Sequence, residues 1–180
     1  MSEHVPAERF RLRAADRPGD MGWVVMAHGE TYAEQFGWNT EFEALVARIG
    51  ADYANRHDPA REAAWIAEVD GHRVGCIFLV TADEPDVARL RLLLVTPAGR
   101  GLGVGRRLVR TCLDFATQAG YRKVTLWTND VLVSARRIYE AAGFVLVGEE
   151  PHFSFGHRLV GQDWELDLTA GSGVAAQRAS

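Results

Sequence analysis

The stretch from Leu92 to Leu108 limits the fold more than any other part of the chain. An apolar run, Leu92 to Val95, meets Pro97, and glycines then occupy positions 99, 101, 103 and 105. Val104, Leu108, Cys112, Phe115 and Ala119 follow at helical spacing, with Gly120 at the expected C-cap. A buried strand stopped by proline and delivered through a tight turn into a helix is the building unit of α/β proteins. Gly101, Gly103 and Gly105 also strip side chains from the point where first-turn N–H groups have no intrahelical partner. Bare donors at the positive end of a helix bind anions, and Arg100, Arg106, Arg107 and Arg110 add fixed charge beside them. Guanidinium forks suit phosphate oxygens, so the loop reads as a pyrophosphate cradle.

Two nucleotide fingerprints fail here. A dinucleotide motif starting at Gly101 or Gly103 would need glycine where Arg106 or Leu108 stands, and no Gly-Lys-Ser/Thr triplet of a P-loop occurs.

The remaining pattern gives the element order β-α-α-β-β-β-α-β-α-β-β. A strand is predicted over 10–14 and helices from Gly22 to Gly37 and from Thr40, where Thr40-Glu41-Phe42-Glu43 forms a capping-box pattern; Asp20 is placed as the first helix's cap. Strands at 64–69 and 74–81 flank an Asp70-Gly71 turn of open length, and 88–95 is a covered central strand. Helices over 102–119 and 131–142 alternate with strands over 123–128, 144–148 and 159–168. The fold class is therefore α/β (α+β), a mixed sheet of about seven strands with about four helices. One domain spans 10–168, with flexible ends at 1–9 and 169–180.

Composition closes off other classes. A net charge of −4 and pI near 5.9 argue against nucleic acid or an anionic membrane as partner, and no apolar run approaches the ~20 residues of a membrane span. Cys76 and Cys112 lie in apolar segments as small buried hydrophobes, consistent with a reducing, cytoplasmic setting. His152 and His157 lack neighbours for a metal site, so none is expected.

Arg100-x-x-Gly103-x-Gly105 after a strand ending Val95-x-Pro97 resembles the acetyl-CoA motif of the GNAT superfamily of N-acetyltransferases. About 35 residues on, Leu126-Trp127-Thr128 and the run Ala135-Arg136-Arg137-Ile138-Tyr139-Glu140-Ala141-Ala142-Gly143-Phe144 are similar to that family's second strand–helix segment. Asp20-Met21-Gly22-Trp23, Trp65-Ile66-Ala67-Glu68 and Ser154-Phe155-Gly156-His157 most resemble the acetyltransferase half of MarR-GNAT fusions. Only nine residues precede the first strand, so no winged helix and no DNA binding are expected.

The resemblance implies a GNAT fold that takes acetyl-CoA as co-substrate and acetylates a primary amine by direct attack. It places the pantetheine arm on the backbone of Leu93, Leu94 and Val95, and the diphosphate on Arg100, Gly101, Leu102, Gly103, Val104, Gly105 and Arg106. Tyr139 is the expected general acid. Many relatives carry an Asn seven residues before this tyrosine, where Leu132 stands here, with Asn129 in the preceding loop. No general base is assigned: Asp83, Glu84 and Asp86 precede the central strand, and Glu68 ends an earlier one. His28, Glu30, Tyr32, Glu34, Trp38 and Glu43 belong to the helices expected to wall the acceptor, and His28 and Tyr32 share a face. The expected partner is a small-molecule or peptide amine, with a homodimer through the last strands allowed. The alternative function is an acyl-CoA sensor with little turnover; a different acyl donor or an oxygen acceptor is a weaker one.

Overall fold

The structure, a computed structural model, describes residues 9–170; of the flexible ends expected at 1–9 and 169–180, residues 1–8 and 171–180 lie outside the described residues. Seven strands, β1 (Phe10–Ala14), β2 (Ala63–Val69), β3 (His72–Thr81), β4 (Val87–Val95), β5 (Lys123–Asn129), β6 (Val145–Ser154) and β7 (His157–Asp167), form one sheet. The order is β1-β2-β3-β4-β5-β7-β6, parallel only between β4 and β5. Four helices, α1 (Asp20–Phe36), α2 (Thr40–Arg56), α3 (Val104–Gln118) and α4 (Val133–Ala142), complete the expected α/β architecture.

Alternation along the central strands divides the core. Ile77 and Leu79 of β3 pack with Leu108 and Cys112 of α3, whereas Cys76 and Phe78 pack with Val24 of α1 and Val46 of α2. Both cysteines are free and buried, as their apolar surroundings require.

The helix starts differ from the sequence reading. Asn39, not Thr40, caps α2, its side chain accepting from the Glu41 N–H at 3.1 Å. Asp20 is the first residue of α1 instead of its cap, because its carboxylate serves tertiary contacts: Arg13 at 2.8 and 2.9 Å and Arg73 at 3.0 Å. Helices α3 and α4 each begin two residues later than expected, and Asn129 closes β5 instead of lying in a loop. The cap of α3 is Ala119, and Gly120 follows with φ +86°.

Val69 pairs with His72, so Asp70-Gly71 is a two-residue turn with both φ positive. β6 runs six residues past its expected end at Gly148 and turns into β7 through Phe155-Gly156, where Phe155 has φ +58°. Aromatic residues seldom adopt that conformation, so the turn is not written in the residue types.

Candidate active site

β4 and β5 pair only from Val87–Lys123 to Arg89–Thr125. Beyond that point β4 stays with β3, reaching Gly75–Val95, while β5 follows β7 to Asn129–Gly161. The sheet splits. Leu92 marks the departure with φ +55°, a register shift opposite Cys76–Phe78, and a hydrogen bond from the Cys76 thiol to its carbonyl at 3.2 Å. A left-handed leucine costs about 1–2 kcal/mol, a local strain that turns β4 away from its parallel neighbour.

A cavity of about 450 Å³ opens at the end of β4, under the glycine turn. Leu93, Leu94 and Val95 line it from the strand, and Arg100, Gly101 and Gly103 from the turn. Val104, Gly105 and Arg106 contribute the first turn of α3. After the 3₁₀ turn Pro97–Gly99, Gly101 and Gly103 take φ +75° and +72°, and a Cβ on either would meet nothing within 4 Å. The Arg107 N–H donates to Gly103 O at 3.2 Å, which leaves the first-turn N–H groups before it without intrahelical acceptors. Bare donors at the start of a helix can hold an anion, and Arg100 and Arg106 line the cavity beside them.

Leu102 is the exception among the expected loop residues: its side chain packs on the α3-side core instead of lining the cavity. Arg107 stacks on Phe10, 4.4 Å from the ring centre.

A second cavity, about 710 Å³, lies between the split sheet and α1–α2. Tyr32, Leu93 and Leu132 border both cavities, so they meet at the middle of β4. His28, Trp38, Phe42 and Phe155 form an aromatic wall around Tyr32, with Tyr32 and Trp38 centres 5.2 Å apart. The β6–β7 turn closes this wall: Asn39 N–H donates to Phe155 O at 3.2 Å, and Phe155 N–H to Glu41 Oε2 at 3.2 Å. Tyr139 borders this second cavity and not the loop cavity.

Burial sets the protonation states. His28 Nδ1 lies 2.7 Å from Val24 O and must donate there, so Nε2 carries a lone pair; it is buried with no hydrogen-bond partner. Desolvation lowers the His28 pKa to about 4, against the weaker opposing effect of that bond, and the ring is neutral at pH 7. Burial, then the neighbouring Tyr32 and Cys112, push the Tyr139 phenol well above its ordinary range. It is a fixed hydrogen-bond donor near neutral pH.

Several acidic candidates fall elsewhere. Glu68 is tied to Arg13 at 2.6 Å and lines neither cavity. Glu84 and Asp86 pair with Arg122 at the opposite end of β4. Glu30 and Glu34 are exposed outside the second cavity, and Glu43 packs over Gly29. Asn129 Oδ1 accepts from His152 Nε2–H at 2.8 Å, and Asn129 borders the second cavity with Leu132.

The sheet supplies what the sequence reading missed. Arg89 and Arg91 of β4, Trp127 of β5, and Asp163 and Glu165 of β7 line the second cavity. Two arginines at alternate positions in an otherwise buried strand were the available signal.

The comparisons agree with this geometry. The Acetyltransferase (GNAT) family profile matches residues 23–144, and the chain belongs to that family. It is 34% identical over 125 residues to N-acetyltransferase family 8 member 2 of Rattus norvegicus, covering 66% of this chain and 52% of that protein. It is 33% identical over 95 residues to N-acetylaspartate synthetase of Homo sapiens, covering 53% of this chain and 32% of that one. The chain thus spans about half or less of the length of these curated relatives. The solved structure of yncA from Salmonella typhimurium, which holds its cofactor acetyl-CoA, superposes with a TM-score of 0.70 at 18% identity, covering 88% of this chain and 94% of that one. That likeness carries the fold. Among the described residues no helix is long and apolar enough to cross a membrane.

Proposed function

We propose that the chain is an acetyl-CoA-dependent N-acetyltransferase acting on a primary amine of a small molecule or peptide. The observation that carries this reading is the junction of two cavities at Leu93: a bare-backboned anion cradle on one side and an aromatic-walled chamber on the other. Gly101 and Gly103 border open space, since a Cβ on either would meet nothing within 4 Å, and that room beside the bare N–H groups fits a diphosphate. When bound, acetyl-CoA supplies an activated thioester.

The protein's own groups then have defined tasks. Arg100, Arg106 and the first-turn N–H groups of α3, with backbone at Gly101 to Gly105, hold the diphosphate. The unpaired edge of β4 over Leu93 to Val95 takes the pantetheine; of the two expected donors the Leu94 N–H is turned to the Cys76 thiol of β3, which leaves the Val95 N–H as the preset oxyanion donor for the thioester carbonyl. A neutral amine in the second cavity attacks: the C–N bond forms, the C–S bond breaks, and the electron pair leaves on sulfur. Tyr139, held protonated by burial, donates to that thiolate, and the amine's surplus proton leaves to water. Neither buried cysteine is needed as a covalent nucleophile; desolvation raises both thiols above their ordinary range.

The expected setting is cytoplasmic, without nucleic acid, membrane or metal. The motif likeness to the acetyltransferase half of MarR-GNAT fusions is retained as part of this reading. A homodimer along the free β6 edge is supported by exposed Val145, Val147 and Phe153.

Calorimetry with acetyl-CoA and a thiol-release assay over amine classes test the proposal. Tyr139→Phe is expected to lower kcat by about a hundred- to ten-thousandfold, the usual range for a lost acid, while acetyl-CoA affinity holds. Tight acetyl-CoA binding with no thiol release from any amine would instead establish the sensor.

A further inference from the structure

The charges in the second cavity are matched unevenly. Among the described residues four arginines are in ion pairs: Arg9 holds Asp70, Arg13 holds Asp20 and Glu68, Arg73 holds Asp20, and Arg122 holds Glu84 and Asp86. Arg61 caps the carbonyls of Pro85 and Ala119 and lies over the Tyr121 ring. The arginines that line the second cavity, Arg89 and Arg91, take part in no ion pair among the described residues. Both are half-buried, stand at alternate positions on one face of β4, and line the acceptor-side cavity. Two guanidinium groups on adjacent positions of one strand face repel, and partial burial weakens the water that would screen them. Burial, then the charge of Arg89, push the Arg91 guanidinium below its ordinary range, with Asp52 opposing.

On the facing strand Glu165 is occupied by Lys123 at 3.2 Å, which leaves Asp163 at the mouth of the cavity as the carboxylate without an ion pair among the described residues. The cavity therefore offers two planar cationic forks on β4, one carboxylate on β7 and the Trp127 ring of β5 between them.

We infer that the acceptor is an amino acid or a short conjugate of one, its carboxylate held by Arg91 and Arg89 and its amine directed to the junction at Leu93. Guanidinium forks bind carboxylates in bidentate fashion, and such an anion would relieve the unpaired charge on β4. Distance along the strand fits this assignment. Arg91 lies two residues before Leu93 across the Leu92 bulge, so no more than about 7 Å of backbone separates it from the junction. A polyamine of similar length would set an ammonium against the two guanidinium groups. This inference rests on the acetyltransferase reading and names its acceptor.

The test uses the whole chain, acetyl-CoA, and paired acceptors: the proteinogenic amino acids against their decarboxylated amines, with spermidine as a carboxylate-free polycation. Carboxylated acceptors are expected to exceed their decarboxylated partners in kcat/KM by about tenfold or more. Arg91→Gln is expected to collapse that ratio mainly through KM, with Arg91→Lys recovering part of it and acetyl-CoA affinity reporting that the fold is intact. Equal or better turnover of spermidine or the decarboxylated amines overturns the inference. So does a ratio unmoved by Arg89→Gln and Arg91→Gln together, or thiol release confined to amines without a carboxylate. Failure of acetyl-CoA to bind overturns the acetyltransferase reading itself, which separates the two failures.

Discussion

The glycine cradle can be tested by comparing two alanine substitutions that impose the same backbone strain. Gly103 and Gly120 flank opposite ends of α3, with φ +72° and +86°, and a Cβ on either meets nothing within 4 Å. Alanine at a left-handed position costs about 1–2 kcal/mol. For a chain of this size each kcal/mol lowers Tm by about 2–4 °C, so Gly103→Ala and Gly120→Ala should both melt a few degrees early. Their effects on acetyl-CoA should diverge. Gly103 lines the loop cavity beside the first-turn N–H groups, whereas Gly120 borders neither cavity. Losing one hydrogen bond from a backbone N–H to a charged phosphate is worth about 1.5–3 kcal/mol, or about ten- to hundredfold in Kd. Calorimetric titration with acetyl-CoA, beside thermal melts of the three proteins, measures both quantities. Equal affinities for Gly103→Ala and Gly120→Ala, with matching melts, would refute the phosphate cradle.

Two further outcomes concern stability. The His28 pKa of about 4 lies below the ordinary 6.5, so between those values the unfolded chain binds a proton that the folded chain refuses. The contribution is fully present above pH 6.5 and fades as pH falls toward 4, by about 3 kcal/mol in all. Urea titrations at neutral and acid pH should show that His28→Phe flattens this dependence relative to wild type; an identical acid slope would contradict it. Asp20 is fully buried, and although burial opposes its charge, hydrogen bonds from Arg13 and the Arg17 N–H, with the charges of Arg13 and Arg73, hold its carboxyl below the usual range. Asp20→Asn leaves Arg13 short of a buried anion and should cost about 3–5 kcal/mol in chemical denaturation, and a loss below 1 kcal/mol would show that water replaces the pair.

Local chemistry was legible wherever one segment carried both signal and cause. The Pro97–Gly105 turn, the Asp70-Gly71 hairpin, the helical stripe from Val104 and the burial of Cys76 and Cys112 each follow from neighbours along the chain. The strand–helix order followed too, because hydrophobic period separates strand from helix without reference to the rest of the fold.

Residues whose partners are remote in sequence were not legible in the same way. Asp20 looked like a cap because its side chain suits one; only the approach of Arg13 and Arg73 made it the anion of a buried cluster. Glu68 looked available for catalysis until Arg13 took it. The acceptor-side cavity arises from strands drawn from three separate stretches, β4, β5 and β7, parting after Arg89–Thr125. Its two unmatched arginines acquire meaning only there, since a charge is paired or unpaired by proximity in space. The sequence by itself determined the fold class and the glycine turn into α3, whose groups lie within one short segment. Tertiary structure decided which charges were neutralised and which were left facing the cavity, because those energies depend on distances between segments.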